Sequence, residues 1–318
     1  MAINSDKAIL NSTGEYICFL GDDDGLTKYT IDCAKWMKAT GMEAVKSAEP
    51  IYNWPDASSS EGKKAANLSF KPFTGNISYP KPLDELKKVL RQGITGRGNM
   101  PLVYHSIVSR EVLNNIYVKT GTFFPGNSPD ISNAVALSLI VRKFAIIDLP
   151  FAYSGCSAFH GGGVHVDNKK RHPEINEIPW FRPNAEENWD EQVPRIAAGT
   201  LIWADSAINA LKLMERMDLY RMINFSRMYA IFVLNNRQYR QRVYNVCKNK
   251  SAFYCAFVSA AFRKYLYALF RRIRRMIGIR DNKRQLQNIN NIIEATAELE
   301  SISIDVVNKF KDIYIKLT

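Results

Sequence analysis

Three consecutive carboxylates, Asp22, Asp23 and Asp24, follow the apolar run Tyr16 to Leu20 and precede Gly25. Adjacent carboxylates repel unless a cation neutralises them, and an all-oxygen ligand set suits a hard divalent ion, Mg²⁺ or Mn²⁺. The same triplet can be a solvated turn whose last Asp caps the next helix. A further carboxylate, Asp130, opens an apolar segment after the loop FFPGNSP. In the first turn of a helix the dipole favours its ionised form, which is the form a general base needs; helix capping is the competing role. The third candidate is the pair His160 and His165, set around Gly161, Gly162 and Gly163. Glycines let the backbone approach a ligand, and flanking imidazoles can donate to a diphosphate or complete a metal shell. The spacing matches neither a Walker loop nor a zinc motif, and a glycine-rich turn with incidental histidines has the same pattern.

These residues need elements to hold them. Tyr16 to Leu20 prefers β structure and stops at the triplet, which places the carboxylates at the carboxyl end of a buried strand, where open α/β sheets bind ligands. Before it, 4–12 predicts a short helix capped by Asn4 or Ser5, with Ile3, Ala8 and Ile9 facing inward. After it, Leu26 to Ala39 predicts a helix stopped by Gly41. Residues 43–54 read as extended and 55–64 as a surface loop. Leu68 and Phe70 alternate with polar neighbours, as do Ile77 and Tyr79, and Thr74-Gly75-Asn76 between them predicts a hairpin. A short helix spans Leu83 to Leu90 and ends near Gly93. Leu102 to Ile107 reads as a strand, Ser109 caps a helix through Val118, and Gly121 closes it. Residues 143–154 predict one more strand. From Gly199 the spacing turns helical, with Leu201, Ala204, Ile208, Leu211 and Met214 on one face, and 285–317 reads as a final amphipathic helix.

Bulk properties narrow the classes. With 318 residues, 46% of them hydrophobic, the chain can bury a sizeable core. Its five cysteines are scattered and show no CxxC spacing, which argues against a disulfide framework or a structural zinc site and fits a reducing cytoplasm. No apolar leader and no apolar run of about eighteen residues is visible, so neither a signal peptide nor a spanning helix is expected. The net charge of +12 points to an anionic partner. Much of it lies between Arg263 and Arg284, on a segment whose basic residues alternate with Phe257, Phe262, Leu266, Leu269, Phe270, Ile273 and Ile277. Such a helix, within 253–284, can lie on an anionic membrane surface, or pack on the core with a solvated basic face. A basic helix on nucleic acid is the competing partner, but no nucleic-acid motif accompanies it and none is expected.

The stretch GEYICFLGDDD resembles the "GEYI-x-FL-x-DDD" strand and metal loop of family 2 glycosyltransferases of the GT-A type. SPDIS resembles their acceptor-side "ED" or "PD" segment, and Ser154, Gly155 and Ser157 resemble their "SG-x-S" turn. By that resemblance Asp22 faces the nucleotide ribose, Asp23 is the principal ligand of Mn²⁺ or Mg²⁺, Asp24 is a second or water-mediated ligand, and Asp130 is the base. Gly21 stands where many relatives have a further Asp, and Pro129 where an acidic residue often precedes the base. The family's opening strand for the nucleotide base has no counterpart before Gly14, so the resemblance implies a chain without the N-terminal nucleotide-binding half. His160 and His165 would add donors to the diphosphate. The irregular segment 173–194, with Trp180, Phe181 and Trp189, can cover a sugar ring or pack on the core.

The expectation is therefore an α/β protein. Residues 1–198 form a partial GT-A-like mixed sheet flanked by helices, and 199–318 form a helical C-terminal region. The implied activity is an inverting, metal-dependent transfer of a hexose-like sugar from a nucleotide-sugar to a saccharide or lipid-linked acceptor, in bacterial surface polysaccharide assembly. The implied place is the cytoplasm, peripheral on the plasma membrane. An inactive or partner-dependent fragment of such an enzyme, and a basic nucleic-acid-binding protein, are the alternatives.

Overall fold

A computed structural model describes residues 2–57, 65–158, 174–277 and 282–315. The chain begins with α1 (Ala2–Leu10), β1 (Tyr16–Ile17), β2 (Gly25–Leu26), α2 (Tyr29–Thr40), β3 (Ala44–Lys46), β4 (Ile51–Asn53), β5 (Asn67–Phe70) and β6 (Ile77–Ser78). It continues with α3 (Pro82–Arg91), β7 (Ser106–Ser109), α4 (Arg110–Thr120), α5 (Pro129–Ile140), β8 (Phe144–Ile147) and β9 (Ala152–Cys156). The helices α6 (Gly199–Leu213), α7 (Met217–Tyr220), α8 (Phe225–Asn235), α9 (Arg240–Val246) and α10 (Lys250–Met276) follow. The last elements are β10 (Arg284–Gln287) and α11 (Ile292–Ile315). The protein is α/β, with close to half of its residues helical and two mixed five-stranded sheets flanked by helices.

The first sheet runs β1-β7-β3-β8-β6 and the second β10-β5-β4-β9-β2. Each has a single parallel contact, β3 with β8 and β4 with β9, and the two are linked. The chain leaves the first sheet after β3 and after β8 and enters the second side by side, as β4 and β9. Pro50 and Pro150 stand at the two crossings, where a residue without an N–H ends one ladder before the next begins. Ser47 joins them, donating its hydroxyl to the carbonyls of Leu149 at 2.9 Å and Ala152 at 3.2 Å. So 43–54 and 143–154 are each a pair of strands in different sheets, not one extended piece.

Other expectations change for local reasons. β5 and β6 form no hairpin: β5 pairs with β4 and β10, while β6 pairs with β8. The turn at Thr74 is held instead by Asp148, whose carboxylate accepts from the Thr74 amide at 2.9 Å and from its hydroxyl at 2.6 Å. α2 starts at Tyr29 rather than Leu26, because Gly25 and Leu26 pair antiparallel with Tyr153 and Ala152. The first helix starts at Ala2, so Asn4 and Ser5 lie inside it, and it buries Ala2, Ser5 and Ile9 while Ile3 and Ala8 face solvent. Residues 284–287, read as helix, form a strand along β5, and α11 then covers the second sheet with Ala295 and Leu299. The stops at Gly41 and Gly121, both in the left-handed region, and the Ser109 cap fall where the residue types place them.

The helical region packs on α3 and α5 in one apolar core that runs from Leu86 to Phe253. At its centre a buried polar group fixes α6 against the loop before it. Asp205 accepts from the Asp190 amide and the Asn209 side chain, both at 2.9 Å, and Asp190 pairs with Lys212 at 2.7 Å. Burial pushes the Asp205 carboxyl up to about 7, helped by the charge of Asp190 and opposed by its amide, Lys212 and Asn127. The unfolded chain ionises first, so this group makes stability fall as pH rises from ~4 to ~7, by on the order of 4 kcal/mol. Asp205→Asn should flatten that slope in urea melts taken across the range. A wild type with no such slope would contradict the assignment.

Candidate functional site

The acidic turn is built by contacts from distant parts of the chain. After β1, Phe19 bridges to Tyr104 in parallel register; its amide donates to the Val103 carbonyl and its carbonyl accepts from the His105 amide. Asp22 is exposed, and Asp23 and Asp24 are partly buried. Asp24 Oδ1 accepts the Gly155 amide at 2.8 Å, and Asp24 Oδ2 accepts the Gly21 amide at 2.6 Å. His105 Nε2 lies 2.7 Å from the same Oδ2. Burial pushes the Asp24 carboxyl up, but His105 and the two amides outweigh it and hold it below the usual range. This contribution to stability is present above the ordinary carboxylate range and is lost as pH falls through the lowered value.

Asp23 Oδ2 accepts from Ser157, from its amide at 3.2 Å and its hydroxyl at 3.0 Å, and the Asp23 carbonyl accepts the indole N–H of Trp54 at 3.0 Å. The two turns touch along their backbones. A Cβ on Gly155 would stand 1.7 Å from the Asp23 carbonyl oxygen, so only glycine permits the approach. His105 is held at φ +52°, in the left-handed region that costs a non-glycine residue about 1–3 kcal/mol. Nearby Glu49 is an exposed residue; partial burial pushes its carboxyl up, but Lys46 at 3.0 Å and Arg97 at 3.6 Å outweigh that and hold it below the usual range.

Asp130 sits in the first turn of α5, partly exposed, and accepts the Ser128 hydroxyl. Ser128 occupies the capping position, so Asp130 is not the cap. Three contacts place the loop ahead of it. The Ser206 hydroxyl accepts the Ser128 amide at 2.8 Å, Arg182 donates to the Phe124 carbonyl at 3.0 Å, and Gly126 leaves no room for a Cβ beside the backbone of Ser206. Tyr104 connects this loop to the acidic turn. Burial pushes its hydroxyl up to about 12, and the charges of both Asp130 and Asp24 add to the shift, opposed by a hydrogen bond with Ser5. Phe19 packs edge-on against Tyr104 at 4.9 Å and against Phe124 at 5.5 Å. Phe19, ahead of the acidic turn, thus packs through Phe124 on the loop that leads to Asp130, and the charges of Asp24 and Asp130 both reach Tyr104.

His160 and His165 lie outside the described residues. In the segment before α6, Trp189 is buried and donates to the Val193 carbonyl, and Phe181 packs on the core, so these two rings serve packing. Two open cavities of about 450 and 480 Å³ lie away from the acidic turn, one beside Arg91, Tyr229 and Lys248, the other beside Phe181 and Arg182.

Among the described residues no three His, Cys, Asp or Glu side chains converge to hold a metal ion. Both Asp24 oxygens are already engaged, which leaves Asp22 and Asp23. Hard cations such as Mg²⁺ are often held by one or two carboxylates with substrate phosphates and waters completing the shell, a mode that needs no closed protein cage. Sequence reading misses His105, Trp54 and Tyr104. Their partners are far away along the chain, and the positive φ of His105 leaves no trace in its neighbours. The chain matches no protein-family model, and no curated protein matches it in sequence.

The Gly155 contact gives a direct check. Gly155→Ala should destabilise the protein by about 1–3 kcal/mol in denaturant melts, because the new methyl meets backbone. Gly199→Ala, where a Cβ meets open space, should leave the midpoint unchanged or slightly raised. Equal effects at the two positions would contradict the close approach.

Proposed function

We propose that the protein is a glycosyltransferase of the GT-A type that moves a sugar from a nucleotide-sugar to an acceptor hydroxyl with inversion. The observation that carries the reading is the ring contact of Phe19 with Tyr104 and Phe124, which packs the acidic turn on the loop that leads to Asp130. It joins an acidic turn able to face a diphosphate to a carboxylate at a helix N-terminus. The two mixed sheets with helices on their faces are compatible with the fold, and the resemblance of GEYICFLGDDD and SPDIS supplies the chemistry.

In this mechanism Asp130 takes the proton of the acceptor hydroxyl. The freed oxygen attacks the anomeric carbon, and the bond to the nucleoside diphosphate breaks on the opposite face. Asp23 and Asp22 would hold the Mn²⁺ or Mg²⁺, which neutralises charge on the departing diphosphate. Asp24 takes a positioning role: its oxygens tie the turn to Gly155 and His105. The Ser157 contacts orient Asp23. The Ser128 hydroxyl, donating to Asp130, orients its carboxylate. The acceptor is a saccharide, free or lipid-linked.

The test is release of nucleoside diphosphate from a panel of nucleotide-sugars, with a saccharide acceptor and Mn²⁺ or Mg²⁺. Wild type should turn over one donor class. Asp130→Asn should keep donor affinity and lose about 10²–10⁴ in kcat. Wild-type rates in that variant would remove Asp130 as the base, and no turnover of any donor would overturn the reading.

A further inference from the structure

The helix α10 is 27 residues, about 40 Å, and only its first part belongs to the core. Phe253 is buried there, with Ala256, Phe257 and Ala260 packed beside it against the region of α8. At Lys264, whose ammonium donates to the Asn235 side chain at the end of α8, this support stops. Beyond it, every residue from Phe262 to Ile277 except Arg274 is exposed.

The exposed part is two-sided, with Tyr267 the exposed aromatic side chain on its basic side. Phe262, Tyr265, Leu266, Leu269, Ile273, Met276 and Ile277 recur at spacings of three and four and form one stripe, with exposures between 42% and 79%. The line of the helix that faces α8 continues as Lys264, Arg271 and Arg275, so the apolar stripe points away from the body of the protein. Arg263, Arg272 and Arg274 flank it. Among the described residues no carboxylate pairs with Arg263, Arg271, Arg272 or Arg275. The sequence explains why: between Asp218 and Asp281 there are fourteen Arg and Lys and no Asp or Glu.

We propose that the outer half of α10 lies flat on an anionic lipid surface. Its stripe, about 21 Å from Phe262 to Met276, enters the acyl boundary, and its arginines meet the headgroup phosphates. The helix is not built to cross: no helix among the described residues is long and apolar enough to span a membrane. A second copy is a poor cover for the stripe, since apposing two would bring the flanking arginines together without a carboxylate between them. Nucleic acid would satisfy the charge and leave the apolar stripe in water. The proposal stands independently of the transfer chemistry.

The test is co-sedimentation of the full chain with vesicles of phosphatidylcholine alone or enriched in phosphatidylglycerol, at low and high salt. Wild type should prefer the anionic vesicles by about tenfold or more and release in salt. The exposed-face variants L266S/L269S/I273S and R271Q/R272Q/R275Q, checked for helix content by circular dichroism, should each weaken binding about tenfold or more. Three results would overturn the proposal: equal or absent binding to the two vesicle types; an apolar variant that binds like wild type, which marks a contact of charge alone; or self-association lost in L266S/L269S/I273S without vesicle binding, which marks a contact between copies.

Discussion

The backbone contact between two turns holds the proposed site together. One carries Asp22 to Asp24 after β1, the other Ser154 to Ser157 at the end of β9. With no Cβ on Gly155, the turns close until the amides of Gly155 and Ser157 reach the carboxylates of Asp24 and Asp23. Hydrogen bonds to ionised acceptors are stronger than neutral ones, and the cluster needs them, since three adjacent negative charges otherwise repel. The same contact divides the triplet. The Asp24 side chain is buried with both oxygens engaged, and so becomes part of the scaffold; among the described residues, Asp22 and one oxygen of Asp23 carry no such contact. A resemblance by sequence alone cannot make that division.

The fold serves this contact through its double crossing. Because β3 and β8 lie parallel and both switch sheets at a proline, β4 and β9 arrive together beside the acidic turn, bringing Trp54 from one and Gly155 from the other. Asp130 comes from the other side, on a loop pinned by Ser206 and Arg182. The aromatic row Tyr104, Phe19 and Phe124 packs the acidic turn on the loop that leads to Asp130.

Much of this was legible from residue types. Gly41, Ser109 and Gly121 end or cap helices for reasons local to each residue, and Asp22 to Asp24, Asp130 and the Ser154–Ser157 turn are recognisable as motifs. What the sequence could not reveal are relations between distant segments. Periodicity makes 43–54 and 143–154 extended but does not say that each serves two sheets, although Pro50 and Pro150 mark the places. The strand at Arg284 to Gln287 forms because β5 offers an open edge, a tertiary effect that overrides the local preference for helix. His105 gains its role only when the fold carries it to Asp24. Similarly, the stripe on α10 is plain in the sequence, but that it faces outward depends on where α8 ends.

The central claim is that the acidic turn is a donor site. Calorimetric titration of UDP, GDP and dTDP into the chain, with and without Mn²⁺, beside Asp23→Ala, tests it most directly. The account predicts binding of one nucleotide that requires the ion and disappears in the variant, while the variant keeps the helix content of wild type by circular dichroism. Binding that ignores the ion or survives in Asp23→Ala, or no binding of any nucleotide, would contradict it.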